Sequence, residues 1–481
     1  MSSKKVTSIT PKSENMTQWY TDVCVKAELM DYATTKGFII YRPDGYALWE
    51  GIKDYFDKRI KALGVRNVYL PCLIPVPLLK KEAELVAGFA PECAVVTRGG
   101  SKQLAEEMVV RPTSETLFCD HFKNIVHSYN DLPVLYNQWC SVVRWEKTTR
   151  PFLRGSEFLW QEGHCLFENE NQAREFTLTI LREYNKLGKD LLAIPFVMGA
   201  KPSSEKFAGA KDTYTIEALM PDGQALQSGT SHYLGTDFPK AYGIKFQGRD
   251  NKLDYPHYIS WGISTRLLGA LIMVHGDDEG LVLPPRLAPT QAVIVPIRMD
   301  SDPNVLKTAK ELEEKLRAAG VRVYLDDTNK TPGWKFAQYE MKGIPLRIEV
   351  GPKDIANGVV TITKRFDSSK SQVEIEGLEK KVPLILEEIH EGMYQKALSY
   401  LNSHITECHD YDEVKDVITS GKGFAKLMVC SKNEAALEEK MKSELNATPR
   451  VMPFDQRPFQ NTDSVTGEEN PDTVVYFARA Y

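Results

Sequence analysis

No stretch of this chain approaches the roughly 18 consecutive apolar residues that a membrane-spanning helix needs, which excludes an integral helical membrane protein. Cysteine occurs eight times (Cys24, Cys72, Cys93, Cys119, Cys140, Cys165, Cys408 and Cys430), but nowhere as a CxxC pair or a dense framework. That spacing excludes a disulfide scaffold and reads as reduced thiols in a cytosolic protein. Basic excess is also missing. With 60 Lys and Arg against 65 Asp and Glu, the net charge of −5 excludes a uniformly basic nucleic-acid coat but leaves room for a local basic surface. Internal repeats and low-complexity tracts are absent. The opening MSSKKVTSITPKSENMTQWY is polar and carries Glu14, which argues against a secretory signal.

What is present has the composition of an ordinary globular chain, 42 % hydrophobic and 26 % charged over 481 residues. That length holds two to four domains at about 100–200 residues each. Residues 1–20 read as a flexible lead-in. Residues 21–65 read as helical, because Tyr46, Leu48, Trp49, Ile52, Tyr55, Phe56 and Ile60 recur at helical spacing and Gly64 stops the run. A strand is predicted over 65–71. From 95 to 246, short strands with turn signals are interrupted by helices near 114–129 and 171–191, the pattern of an antiparallel α+β sheet. Residues 260–285 read as a buried helix running into an apolar segment, which closes a first large unit over 21–285. Beyond it the texture changes to β-α-β-α-β, with strands at 292–297, 321–325, 346–351 and 359–362 and helices at 302–319 and 333–342. This predicts an α/β domain over 286–400 with a largely parallel sheet, left by a helix at 382–401. A third, smaller α+β unit spans 401–481 and includes a loop-like patch at 455–472.

The densest chemistry lies at 144–164, RWEKTTRPFLRGSEFLWQEGH. Arg144 and Glu146 are read on one face of a strand, since alternate residues point the same way, with a turn over 147–151. On the return, Phe158, Trp160 and Glu162 again share a face. Such a hairpin offers Arg144 to a phosphate, Glu146 to an amine and Phe158 as a stacking surface for a base. Arginine's planar fork suits bidentate phosphate recognition, and the crowded aromatics beside it point to a pocket rather than to a solvated surface hairpin.

This hairpin and its neighbours resemble the catalytic core of class II aminoacyl-tRNA synthetases, and more narrowly the prolyl-tRNA synthetases of the archaeal/eukaryotic type. Counterparts of the three class signatures stand at 51–75, at 144–162 and at Trp261–Gly262–Ile263–Ser264–Thr265–Arg266. More specific segments match as well: Gly88–Phe89–Ala90–Pro91–Glu92, Arg111–Pro112–Thr113–Ser114–Glu115–Thr116, Lys206–Phe207–Ala208–Gly209–Ala210, residues 227–235 (QSGTSHYLG) and Met273–Val274–His275–Gly276–Asp277–Asp278. The resemblance runs from about residue 16 to residue 481. It implies a class II antiparallel sheet with flanking helices, an α/β anticodon-binding domain and a small C-terminal α+β domain. It also implies ATP-dependent attachment of L-proline to tRNA(Pro) through prolyl-adenylate, in a cytoplasmic homodimer built through 51–75.

The same resemblance assigns roles. Arg144 and Arg266 would be the catalytic arginines, neutralising charge around the α-phosphate. ATP would be held by Arg144, Glu146, Arg154, Phe158, Gln227, Thr230 and Arg266, with Glu146 on the adenine amine, Phe158 and Arg266 sandwiching the base, and Arg154 on the distal phosphates. Magnesium would enter with ATP, held mostly by phosphates and water. Proline would be held by Thr113, Glu115, Arg144, Trp160, Glu162, His164, Phe207, His232 and Ser264, with Glu115 and Thr113 toward the ammonium. In the α/β domain, Glu349, Lys353, Asp354, Lys364 and Arg365 would meet the tRNA anticodon.

Two departures and one substitution qualify this. Only 64 residues lie between Glu162 and Gln227, which leaves no room for the editing insertion of the bacterial type. The C-terminal unit holds only Cys408 and Cys430 where the family often has four zinc-binding cysteines. His404 and His409 flank Cys408, but zinc ligands come as close-spaced pairs on both sides, so no metal site is expected. Ser264 stands where the family more often has threonine, keeping the hydroxyl and losing a methyl. Tyr481 is expected to be ordered and packed toward the active-site side. Two other readings stay open at this stage: a class IIa synthetase for another amino acid, and a non-catalytic RNA-binding homologue.

Overall fold

Phe56, Tyr184 and Trp261 meet at the centre of the large unit, and the elements carrying them set its architecture. The helix Pro43–Ala62 starts on a proline at its first turn, where the fixed φ suits a helix and no N–H is needed. Leu48, Trp49, Ile52, Phe56 and Ile60 form its buried stripe. The helix Glu170–Leu187 is capped by Asn169, whose side chain accepts the Gln172 N–H at 3.0 Å. The two helices meet where Phe56 stacks on Tyr184 at 5.0 Å and abuts Trp261 edge-on at 6.3 Å. Burying each ring contributes about 1.5–3 kcal/mol. Trp261 lies flat over Gly163, where a Cβ would come within 1.9 Å of the indole, so only glycine fits beneath it.

These helices cover an eleven-stranded sheet in the computed structural model, which describes residues 9–85 and 93–481. Its order is Ile405–Glu407, Phe424–Val429, Thr473–Ala478, Thr448–Pro453, Val197–Ala200, Asp212–Leu219, Ala225–Gly235, His257–Ser264, Glu157–Phe167, Val134–Val143 and Arg66–Asn67. Only the pairs at its two ends are parallel. The expected antiparallel sheet with flanking helices is therefore what the chain forms. It runs further than expected, because the C-terminal unit joins the catalytic sheet through Met452↔Ala200 and Pro453↔Gly199. At Gly199 a Cβ would strike the Met452 carbonyl at 2.0 Å.

Several expectations need correction. The flexible lead-in does not reach residue 20: the helix Met16–Lys26 begins earlier, Trp19 and Tyr20 are fully buried, and the Trp19 indole donates to the Asp277 carbonyl at 2.8 Å. The helical run predicted over 21–65 is broken by a hairpin, Met30–Tyr32 with Ile39–Tyr41, whose turn uses Gly37 at φ +86. The strand predicted over 65–71 shrinks to Arg66–Asn67 at the sheet end. The predicted 260–285 helix is a strand to Ser264 followed by the helix Arg266–His275. Beyond it the apolar segment crosses to the α/β unit, with the Leu281 and Leu283 N–H groups donating to the carbonyls of Met341 and Gly343. The segment 88–92 lies outside the described residues.

The α/β unit has a five-stranded sheet ordered Val323–Leu325, Ala292–Pro296, Leu346–Val350, Val359–Lys364 and Lys370–Glu374. Its first two pairings are parallel and the other two antiparallel, so "largely parallel" overstates it. A parallel return needs a crossover of a dozen or more residues, and only the short helix Pro352–Ala356 joins Leu346–Val350 to Val359–Lys364.

Candidate active site

The hairpin Val134–Val143 with Glu157–Phe167 pairs in register through Cys140↔Trp160, Gln138↔Glu162 and Tyr136↔His164. Trp160, Glu162 and His164 alternate onto one face. Their neighbours in the next strands, Ser264, Gly262 and Ser260 and then Thr230 and His232, share that face. The outcome is a cavity of about 300 Å³ in which Thr113, Glu115, Arg144, Phe158, Trp160, Glu162, His164, Phe207, Gln227, Thr230, His232, Ser264 and Arg266 all take part. Of the residues expected at the catalytic centre, only Glu146 and Arg154 do not line it. They sit in the loop between the strands, 4.0 Å apart.

That loop differs from expectation. The strand stops at Val143, so Arg144 and Glu146 belong to the loop rather than to a strand face. Arg150 and Arg154 pair their backbones across it, around a tight turn with Phe152 at φ +59. Arg144 is held from both sides. Its Nε donates to the Pro112 carbonyl at 3.0 Å, and its guanidinium lies over Phe158 at 5.4 Å and Trp160 at 5.5 Å. Arg266 Nε donates to the Leu153 carbonyl at 3.1 Å. Burial, then the charges of Arg154 and Arg144, push the Arg266 pKa down to about 10. Three guanidiniums brought this close repel one another, and an anion between them relieves that cost.

The other half of the cavity is tuned for a small cationic, apolar ligand. Thr113 Oγ1 donates to Glu115 Oε2, and Glu115 is buried at 5 % exposure. A buried carboxylate on an apolar wall calls for a cation. The Trp160 indole N–H points to Cys140 Sγ at 3.2 Å, and Phe207 lies against the His232 ring at 4.6 Å. The Phe207 N–H donates to Thr213 Oγ1 at 3.0 Å, and the same hydroxyl is hydrogen-bonded to His232 Nδ1, also at 3.0 Å. Burial, helped by the His164 charge, pushes His232 down to about 3. It is a neutral wall at neutral pH.

Behind this wall stands a network that sequence reading missed except at Glu162 and His164. Burial works to raise the Glu162 carboxyl, but His164, Ser114 and Gln138 outweigh it and hold it below the usual carboxylate range. Ser114 Oγ donates at 2.6 Å, Gln138 Nε2 at 2.8 Å and His164 Nε2 at 3.0 Å. The far ring nitrogen of His164 meets the Tyr258 hydroxyl. The one sequence signal for Ser114 is its place between Thr113 and Glu115. Gln138 and Tyr258 carry none, since their role comes from register. Glu205 also lines the cavity and was not foreseen.

In the α/β unit two of the five expected tRNA contacts are buried in pairs with other side chains. Arg365, 6 % exposed, grips Asp277 of the catalytic unit through two hydrogen bonds of 2.7 and 2.6 Å, and so serves as an interdomain strut. Glu349, 7 % exposed, is taken by Arg347 at 3.2 Å and Lys370 at 3.0 Å. Lys353 is exposed, Lys364 is paired with the exposed Glu388 at 3.1 Å, and Asp354 accepts from Thr361 at 3.2 Å. In the C-terminal unit, Cys408 and Cys430 are buried, His404 stacks on Tyr400 at 3.9 Å, and His409 Nδ1 meets Gln460 at 2.6 Å. Among the described residues no group of three or more His, Cys, Asp or Glu is placed to hold a metal ion. Tyr481 is anchored on the catalytic unit: its N–H donates to the Ala225 carbonyl at 3.0 Å and its hydroxyl accepts from Arg150 at 2.5 Å.

Comparison with known proteins agrees with this geometry. Three family models match in order: "tRNA synthetase class II core domain (G, H, P, S and T)" over residues 98–275, "Anticodon binding domain" over 291–383 and "Prolyl-tRNA synthetase, C-terminal" over 411–481. A proline–tRNA ligase of Clostridium botulinum (strain Loch Maree / Type A3) is 53 % identical over 478 residues, covering 99 % of each chain. Proline–tRNA ligase 2 of Bacillus cereus (strain ATCC 10987 / NRS 248) is 51 % identical over the full length of both. The crystal structure of prolyl-tRNA synthetase from Cryptosporidium parvum, complexed with halofuginone and AMPPNP, superposes with a TM-score of 0.95 at 38 % identity, covering 99 % of this chain and 100 % of that one. An arginine-lined cavity on an antiparallel sheet, followed in sequence by matched anticodon-binding and C-terminal units, places this chain among the prolyl-tRNA synthetases of class II.

Proposed function

We infer that this chain joins L-proline to tRNA(Pro) in two steps, the first of which consumes ATP. The observation that carries the reading is the division of one cavity into an arginine-rich half and a half with a buried carboxylate among neutral rings. In the first step a proline carboxylate oxygen attacks the α-phosphorus of ATP, and the bond to the leaving pyrophosphate breaks. Arg144 and Arg266 neutralise the charge that builds on the phosphoryl oxygens, Phe158 offers a face to the base, and Gln227 and Thr230 border the ribose side. Arg154 and Glu146, at the mouth, are assigned to the distal phosphates and the adenine amine. Glu115 and Thr113 take the secondary ammonium, while Trp160, Phe207 and His232 enclose the ring, with Glu162, His164 and Ser264 behind them. In the second step a ribose hydroxyl of the tRNA attacks the prolyl carbonyl and AMP leaves.

Magnesium fits this site as an ion carried by ATP. It commonly takes phosphate oxygens and waters with one or two protein oxygens, and Gln227 is among the residues on the cavity wall. The tRNA would be read by Lys353, Asp354 and Lys364, the last beside a groove of about 320 Å³ that Arg347 and Lys370 also line. A homodimer through 51–75 is supported by Tyr69, an aromatic left 70 % exposed. Location in the cytoplasm is supported by the wide spacing of the cysteines, none of which forms a CxxC pair; no helix among the described residues is long and apolar enough to cross a membrane. Functional limits are set at 21–285 for catalysis, 286–400 for anticodon binding and 401–481 for the C-terminal unit, with the helix Met16–Lys26 added to the first. Amino-acid-dependent ATP–pyrophosphate exchange across the twenty amino acids tests the core of this reading. Exchange driven best by proline is expected, and exchange driven best by another amino acid would refute it.

A further inference from the structure

Where the C-terminal unit meets the catalytic sheet, three of its side chains converge on three consecutive residues at the rim of the cavity. Ser203–Glu205 form a single 3-10 turn just after the strand Val197–Ala200. Glu434, at the start of the helix Glu434–Leu445, accepts the Ser203 N–H at 3.0 Å and its hydroxyl at 3.4 Å. Glu438, one turn on, stands beside Ser204. Arg450, on the strand Thr448–Pro453, reaches Glu205 Oε2 at 3.4 Å.

Arg450 is 6 % exposed and its other amine meets Glu217 Oε2 at 3.3 Å. Glu217 is fully buried and pairs through its second oxygen with the equally buried Lys201 at 2.7 Å. Removing such charges from water is costly, so a cluster like this fixes an arrangement more than it adds net stability. What it fixes here is the approach to the cavity. Glu205 lines the wall itself, and Phe207, two residues further on, packs against His232.

We propose that Arg450 and Glu434 are positioning residues for the amino-acid half of the site, so that the C-terminal unit sets the affinity for proline by anchoring Ser203–Glu205 and thereby holding Phe207 on His232. This rests on the reading of Phe207 as a wall of the proline pocket. Glu434 and Arg450 bond Ser203 and Glu205, on the amino-acid side of the cavity, so loss of the clasp weakens binding of the amino acid in ground and transition states alike.

The test is pyrophosphate exchange by the full-length protein, varying proline and ATP separately. Arg450→Gln is expected to raise KM for proline about tenfold while kcat and KM for ATP change less than about twofold, the signature of lost uniform binding. Arg450→Lys, which keeps the charge, should recover most of the loss. Glu434→Ala, outside the buried cluster, should raise KM for proline about threefold with an unchanged thermal midpoint, and it decides alone if Arg450→Gln does not fold. Phe207→Ala is the control. If it raises KM for proline while the Arg450 and Glu434 variants do not, the clasp is overturned and the pocket reading stands; if Phe207→Ala is silent, both fall.

Discussion

Arg365→Ala is expected to loosen the junction between the catalytic and anticodon-binding units while leaving adenylate chemistry in place. Its guanidinium forks onto both Asp277 oxygens, at 2.7 and 2.6 Å, and its Nε donates to the Glu340 carbonyl at 2.9 Å. Burial works to raise the Asp277 carboxyl, but Arg365 outweighs it and holds the group below the usual carboxylate range. Hydrogen bonds between charged partners contribute about 1.5–3 kcal/mol. The Asp277 side chain is 44 % exposed, so water reclaims it when the arginine is gone, and the cost falls near the lower end, at about 1.5–2 kcal/mol. That is a factor of about 10–30 in the open-to-closed ratio of the junction. The Leu281 and Leu283 amides, which bond across the same junction to Met341 and Gly343, report it directly: their hydrogen exchange should speed up by that factor. tRNA charging should fall more than pyrophosphate exchange. Asp277→Ala should move both readouts in the same direction and further, since it strands a guanidinium only 5 % exposed, and the double variant should be no worse than Asp277→Ala alone. Unchanged amide exchange in Arg365→Ala, with tRNA charging lost and Asp277→Ala silent, would mean that Arg365 touches RNA and is not a strut.

Arg144→Ala should lower the rate of proline-dependent exchange by about 10²–10³, the usual cost of one donor aimed at developing charge; near wild-type exchange would sink the assignment. Acid should destabilise the fold through His232, pushed down to about 3, and His275, pushed down to about 4, in both cases chiefly by burial. The unfolded chain takes up those protons below about pH 6.5 while the folded chain does not, so stability is lost as pH falls from 6.5 toward 4. At pH 5 the loss is about 2 kcal/mol for each histidine. Urea midpoints at pH 7 and 5 should show a smaller difference for His275→Gln, and an identical difference would refute the argument. Tyr481→Ala removes the hydroxyl that accepts from Arg150 and a ring 5.0 Å from that guanidinium, and should cost about 1–3 kcal/mol of stability; an unchanged thermal midpoint would show the anchor to be idle.

What could be read from the chain beforehand was whatever local periodicity and motif order encode. The buried stripe of the helix Pro43–Ala62 and the shared face of Phe158, Trp160 and Glu162 came from spacing, because a strand fixes which of its residues share a face. The other cavity residues from Thr113 to Arg266, Arg144 aside, came from resemblance alone. Long-range pairing was not legible. Arg365 looked like an RNA contact because nothing near it in sequence announces Asp277, 88 residues away. The partners of Glu349 were hidden for a similar reason: only the register of Leu346–Val350 on Val359–Lys364, which sets Glu349 opposite Thr361, brings it within reach of Thr363, which donates to it at 3.3 Å. The hairpin at Met30–Tyr41 was lost inside a helical reading, since its two strands are three residues each, too short for a period of two to show.

The two residue pairs that join Thr448–Pro453 to Val197–Ala200 also bear on handling the protein. Val197–Ala200 is an edge of the catalytic portion of the sheet, and an uncovered edge is a template for pairing with other chains. A catalytic unit expressed without the C-terminal strands would present that edge to its neighbours and aggregate, so the C-terminal unit doubles as an edge guard that keeps the enzyme in solution.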